Sequence, residues 1–221
     1  MKAVIFDFDG TLTKSKKGSN CWRKIWEYID DLEYDDMLYT KFLNKKIDNK
    51  QWFNMIFKRY AEKNVNDKTM LNIANSMEMI NDSYDVLKTL YEKDIKIFIL
   101  SGGIRQIIEK VLQRENLIQF VTSIEAYDLI FDENGKLINY KTPIHNLENK
   151  SEYIKIVKQK FNLNSKEIIF IGNGKNDENA FQSGVTTLCI NPDGADFSNK
   201  KVWNHTIKNC GSLKEILIFF N

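Results

Sequence analysis

Residues 2–13 read Lys2-Ala3-Val4-Ile5-Phe6-Asp7-Phe8-Asp9-Gly10-Thr11-Leu12-Thr13. The first five form a β-branched and apolar run that stops in a polar turn, the pattern of a strand buried on both faces and delivering side chains at its carboxyl end. Two carboxylates at i and i+2 beyond such a strand are costly unless paired, because like charges in a poorly hydrated cleft raise each other's pKa. A cation would relieve that repulsion. The same arrangement meets the needs of nucleophilic phosphoryl transfer: one carboxylate to attack phosphorus, a second to move protons, and a small residue to turn the chain. An Asp-Gly turn with incidental acids is the alternative.

Two further segments repeat the strand-then-turn pattern. Residues 95–100 end in Ser101-Gly102-Gly103, with Ile104, Ile107, Ile108, Val111 and Leu112 following at helical spacing, which predicts strand, glycine turn, helix. Residues 120–124 form another apolar run, and 129–131 with 136–140 predict a hairpin closed around Asn134-Gly135. A helix is expected over 153–161, a strand over 168–171 ending in Gly172-Asn173-Gly174, a short helix around 179–182 and a last strand over 186–190. Alternating strands and helices predict an α/β fold: a Rossmann-like, mainly parallel sheet with helices on both faces. Ligands in such sheets sit at the carboxyl ends of the strands.

About eighty residues separate the first two strands, more than a crossover helix requires. Their apolar positions have helical period, as in Trp22, Ile25, Trp26 and Ile29, then Trp52, Phe53, Ile56, Phe57 and Tyr60, then Met70, Leu71, Ile73, Ala74 and Met77. An inserted all-helical cap over residues 14–82 is predicted, leaving 1–13 and 83–221 as the core. The chain has 221 residues, 43% hydrophobic and 28% charged, a globular composition. Its longest apolar runs, 97–100 and 216–220, fall far short of the ~18 residues of a membrane span, and no signal peptide is readable. A formal net charge of +2 offers no field that argues for nucleic acid. Cys21, Cys189 and Cys210 lack metal or disulfide spacing and read as reduced, buried thiols of a cytoplasmic protein. His145 and His205 lack ligand spacing and read as structural or solvent-facing.

At this point the motifs resemble the haloacid dehalogenase superfamily. Asp7-Phe8-Asp9-Gly10-Thr11-Leu12-Thr13 resembles its first motif, Ser101 its second, Lys150 its third and Gly172-Asn173-Gly174-Lys175-Asn176-Asp177 its fourth. The Ser101-Gly102-Gly103 turn and the helical insert are most similar to the phosphoserine-phosphatase-like branch. The resemblance implies a phosphatase in which Asp7 forms an aspartyl-phosphate, while Asp9 protonates the leaving oxygen and then activates water. Ser101, with the backbone at Gly102 and Gly103, would bind phosphoryl oxygens, and Thr11 and Asn176 would line the same site. Ser101 before a helix also reads as an N-cap, and the two roles are compatible. Lys150 would neutralise phosphate and Asp7, where a solvated surface lysine is the ordinary reading.

The fourth motif departs from the family, which usually has an Asp where this chain has Asn173. The implied Mg²⁺ set is the Asp7 carboxylate, the Asp9 carbonyl, the Asn173 oxygen and waters, with Asp177 in direct contact or one step behind. A plain Asn-Gly turn is the alternative reading of Asn173. That substitution also motivates a second class of function, a catalytically weak phosphate-ligand-binding or regulatory relative. A dehalogenase, phosphonatase or phosphotransferase keeps the fold but changes the reaction, and an aspartate at Asp9 argues against the dehalogenase. Phosphoserine phosphatases resemble one another in a cap Glu soon after the first motif. Here no acid follows Asp9 until Glu27, so a small organic phosphate is expected, with the cations at 14–17 facing the cleft.

Overall fold

The computed structural model describes residues 1–15, 19–142 and 149–220. Strand β1 (Ala3–Phe6) is wholly buried because it has a parallel neighbour on each side. Val4 is paired with Ile97 of β2 (Lys96–Ile104) and with Ile169 of β5 (Ile168–Gly174). Val4 and Phe6 enter one core, and Ala3 and Ile5 the other, the period-two division of a strand. The first core is closed by α5 (Ser83–Glu92) and α6 (Arg105–Arg114) and the second by α7 (Lys150–Lys160) and Trp203.

With β3 (Val121–Phe131), β4 (Leu137–Lys141), β6 (Thr186–Asp193) and β7 (His205–Ile207), the sheet runs β4-β3-β2-β1-β5-β6-β7 and only β4 is antiparallel. The chain lays β2 and β3 on one side of β1, then crosses over to lay β5 and β6 on the other. Strand order therefore reverses at β1, and the crevice for a ligand opens at its carboxyl end.

Between β1 and α5 come the helices of the cap: α1 (Cys21–Tyr28), α2 (Leu32–Leu43), α3 (Asn49–Glu62) and α4 (Asp67–Ser76). Asn20 caps α1, and capping boxes start α3 (Asp48 with Gln51) and α4 (Asn66 with Thr69). Rings of Trp26 and Tyr60, 4.6 Å apart, pack at the cap's centre. The expected elements do not include α2, whose only buried residue is Leu38, nor α5, β7 and the 3-10 segment Leu213–Phe220.

Two expected turns are corrected. Ser101-Gly102-Gly103 does not break the strand: β2 continues to Ile104, and α6 starts at Arg105, so Ser101 is not the helix cap. Likewise β5 continues through Gly172-Asn173-Gly174. In both, a longer neighbour holds the extension, Tyr127 of β3 opposite Ile104 and Asp193 of β6 opposite Gly174, with an irregular register at each approach. The run at 120–124 and the first arm of the hairpin are one strand, β3, because β2 pairs with its first part and β4 with its second.

The cap is fastened to the core beyond its two connections. Arg114 of α6 donates from its guanidinium to the carbonyls of Ala74 and Met77 at the end of α4, the Ala74 carbonyl also accepting the Met77 N–H. Arg114→Ala should lower the unfolding free energy by about 1–3 kcal/mol. The expected reading is a lower urea midpoint at nearly unchanged m-value, and an unchanged midpoint would show that water replaces the guanidinium at no cost.

Candidate active site

Asp7 prolongs β1 by one ladder position, its N–H donating to the Ile171 carbonyl at 2.8 Å, which directs it into the crevice where strand order reverses. Lys150, the first residue of α7, donates from Nζ to Asp7 Oδ1 at 2.8 Å and to Asp177 Oδ1. Lys150 and Asp177 are fully buried and Asp7 is 5% exposed, so water contributes little to holding these charges. The other oxygen of Asp177 accepts the backbone N–H groups of Asn173 and Gly174, both at 2.9 Å. The backbone N–H of Lys150 meets Asn179 Oδ1 at 2.9 Å, which ties α7 to the 3-10 segment Lys175–Ser183.

Burial pushes the Asp7 carboxyl up to about 7, opposed by the Lys150 ammonium and assisted by Asp177. At Lys150 burial works against the charge, but the attraction of Asp177 and Asp7 outweighs it and raises the pKa. The lysine therefore remains an ammonium throughout the neutral range.

Asp9 is half-buried on another side of Asp7. The backbone N–H of Cys21 donates to its Oδ2 at 3.1 Å and the Cys21 thiol to its Oδ1 at 3.2 Å. Burial raises the Asp9 pKa, and these two bonds resist the rise. Ser101 is buried, its Oγ accepting the Gly103 N–H at 3.0 Å, and the Gly102 carbonyl accepts the Trp22 indole N–H at 2.8 Å. Gly10 has φ +75°, and a Cβ there would lie 2.3 Å from Asn173 Nδ2, so glycine is required for the turn and for the amide laid over it. Asn173 Oδ1 accepts the Thr11 hydroxyl at 3.2 Å.

Asp7, Lys150, Asp177, Asn173 and Thr11 thus form one connected group, with Asp9, Ser101 and Gly103 gathered beside Cys21. Asn176 is exposed, its Oδ1 over Gly174 rather than among these groups. Cys189 and Cys210 are buried without disulfides, and His205 lies on β7 with its ring 4.7 Å from that of Phe219. His145, Lys16 and Lys17 fall outside the described residues. Lys14 is exposed and pairs with Glu78 at 3.3 Å. A cleft of about 640 Å³ opens beside Gly10 and Asn173, walled by Lys14, Ile80, Asn191 and Phe197. The cap arginines are engaged within the cap, Arg23 with Asp35 and Asp36 and Arg59 with Asp31.

Two residues escape the sequence reading. Cys21 and Trp22 open α1 and read there as a small buried residue and a core aromatic, yet they reach Asp9 and the Gly102 carbonyl. No spacing signal could have found them, since the contacts depend on how the cap docks.

Among the described residues no three His, Cys, Asp or Glu side chains converge in a metal cage. The groups bordering Asp7 are nonetheless oxygen donors. Asp7, Asp9 and Asp177 are opposed by the Lys150 ammonium, with Lys24 also acting on Asp9, so with all five ionised the site has one surplus negative charge. That surplus and an oxygen-only donor set fit Mg²⁺, which takes one or two carboxylates and completes its shell with water and phosphate oxygens.

The comparisons with known proteins agree with this architecture. Human phosphoserine phosphatase is 33% identical over 98 residues, covering 43% of this chain and 42% of that protein. A 7-methylguanosine phosphate-specific 5'-nucleotidase of Xenopus laevis is 26% identical over 99 residues, covering 41% and 34%. The chain thus spans less than half the length of the curated relatives it matches. Among solved structures, a HAD family hydrolase of Salmonella enterica serovar Typhi superposes with a TM-score of 0.78 at 18% identity, covering 98% of this chain and 69% of that one. A substrate-bound phosphoserine phosphatase superposes with a TM-score of 0.73 at 17% identity, covering 99% and 97%. Residues 1–184 match the family model described as "Hydrolase: haloacid dehalogenase-like hydrolase". With the four motifs in order on this fold, the chain belongs to the haloacid dehalogenase-like hydrolase family.

Proposed function

We propose that this protein is a magnesium-dependent phosphatase that hydrolyses a small organic phosphate monoester through an aspartyl-phosphate on Asp7. The observation that carries the reading is the buried bridge of Lys150 between Asp7 and Asp177, which keeps a carboxylate oriented beside a fixed positive charge. Residues 1–13 and 83–221 are the catalytic core and 14–82 the cap, in a protein of the cytoplasm with no nucleic-acid partner.

Asp7 attacks phosphorus, and Asp9 gives a proton to the leaving oxygen and later takes one from water. Lys150, the Ser101 hydroxyl and the backbone at Gly102 and Gly103 stabilise the phosphoryl oxygens, where developing charge in a water-poor site is strongly felt. Thr11 holds Asn173, and Asn176 lies at the margin, its side chain over Gly174. Mg²⁺ would be held by the Asp7 carboxylate, the Asp9 carbonyl and Asn173, and when bound it supplies charge neutralisation for the entering phosphate. Asp177, both of whose oxygens are engaged, stands behind Lys150.

The alcohol part of the ester occupies the cleft beside Gly10 and Asn173. Engagement of Arg23 and Arg59 by cap acids leaves those two without the charge a substrate carboxylate would need, which supports an ester other than phosphoserine. Retention of both Asp7 and Asp9, each with its own donors, favours the hydrolase over a catalytically weak ligand-binding relative.

Magnesium should support release of phosphate from a panel of phosphate esters, and chelation should stop it; a chain inert across the panel would favour the weak relative. Asp7→Asn keeps the shape and removes the nucleophile, so turnover should fall to background with the urea midpoint little changed, and retained turnover would remove the assignment. Lys150→Met leaves two buried carboxylates facing each other and should cost about 3–5 kcal/mol of stability by urea unfolding, together with rate. Asn173→Asp adds a charged donor and should tighten Mg²⁺ binding by roughly tenfold in calorimetric titration. Equal or weaker binding would place the ion elsewhere.

A further inference from the structure

We propose that Cys21 is a positioning residue for Asp9, fixing the direction in which that carboxyl presents its proton to the departing alcohol; the inference rests on the hydrolase reading above. The two Asp9 oxygens have separate donors on one residue, the Cys21 backbone N–H on Oδ2 at 3.1 Å and the thiol on Oδ1 at 3.2 Å. The carboxyl plane cannot rotate without losing one of them.

The next residue secures the same assembly from the other side, with the Trp22 indole on the Gly102 carbonyl. A Cβ on Gly103 would lie 3.0 Å from Asp9 Oδ2, 3.1 Å from Cys21 Sγ and 3.2 Å from Ser101 Oγ, so a bare backbone at this position lets the three side chains converge. Cys21 is fully buried, which suits a fixed internal donor.

The chemistry gives the contact its value. As an oxygen of Asp7 bonds to phosphorus, the bond from phosphorus to the alcohol oxygen breaks, and its electron pair stays on that oxygen. The oxygen takes the proton of Asp9, which becomes a carboxylate. Hydrogen bonds from Cys21 strengthen as that charge develops, so they assist the transition state more than the ground state.

The test compares two esters by kcat/KM, which reports the steps up to departure of the alcohol, in the presence of magnesium. The phenolate of p-nitrophenyl phosphate leaves without a proton, whereas the alkoxide of β-glycerol phosphate needs one. Cys21→Ala should lower kcat/KM for β-glycerol phosphate by roughly three- to tenfold and for p-nitrophenyl phosphate by less than about twofold. Cys21→Ser, which restores a donor, should recover the alkyl ester to within about twofold of wild type. Equal losses on both esters, no loss on either, or failure of serine to restore the difference would each overturn the positioning role while leaving the hydrolase standing. A wild-type protein that hydrolyses neither ester would overturn the hydrolase reading and this inference with it.

Discussion

The ammonium of Lys150 is the interaction on which the rest of the site depends. It is fully buried and bonds to carboxylates 143 positions before it and 27 after it. Removing an ammonium from water carries a penalty of several kcal/mol, recovered only where geometry is good and the remaining valences are satisfied. Both conditions are visible: two acids flank the ammonium, and Asp177 is in turn satisfied by two backbone N–H groups. The bridge therefore joins the end of β1, the start of α7 and the 3-10 segment that follows β5, three segments that the sheet alone would bring near one another without fixing their side chains. Such a bridge is weak evidence for stability and better evidence for a function that needs these charges together.

The second constraint is space. Among the glycines that permit close approaches are Gly10 beneath the Asn173 amide and Gly103 beneath Asp9, Ser101 and Cys21. The second of these brings the cap into the site, since Cys21 and Trp22 begin α1. The geometry at Asp9 is thus not a property of the core alone, and the aromatic contacts of Trp22 with Phe53, Tyr60 and Tyr127 hold the first turn of α1 between cap and sheet. A rigid ring environment of this kind limits how far the Cys21 donors can drift from Asp9.

Much of this was legible in the chain. The buried run at residues 3–6, the carboxylates beyond it and the alternation of strands with helices each report a local property, and local properties survive folding. The polar turns were misread at Ser101 and Gly172 because glycine and asparagine signal a break only when no neighbouring strand offers ladder partners, and β3 and β6 offer them. Helix α2 was missed for a related reason: with Leu38 its only buried residue, its amphipathic pattern is faint, and its stability comes from partners such as Arg23 that lie elsewhere in sequence. Lys150 could be picked out among many lysines only by its place in the order of motifs, and its burial could not be read at all.

Asn173 has a physical logic of its own in this setting. Three carboxylates already outnumber the ammonium groups of Lys150 and Lys24, and a fourth at this position would sit over Gly10 with the Thr11 hydroxyl as its donor. In a poorly hydrated site each added like charge raises the energy of the cation-free protein. An amide keeps the oxygen toward Thr11 and removes the charge, so the folded chain bears less internal repulsion when no cation is present. The same change lowers the attraction available to a divalent ion. Stability of the empty site and affinity for the cation are thus opposed through one side chain, and this chain has the residue that favours the former.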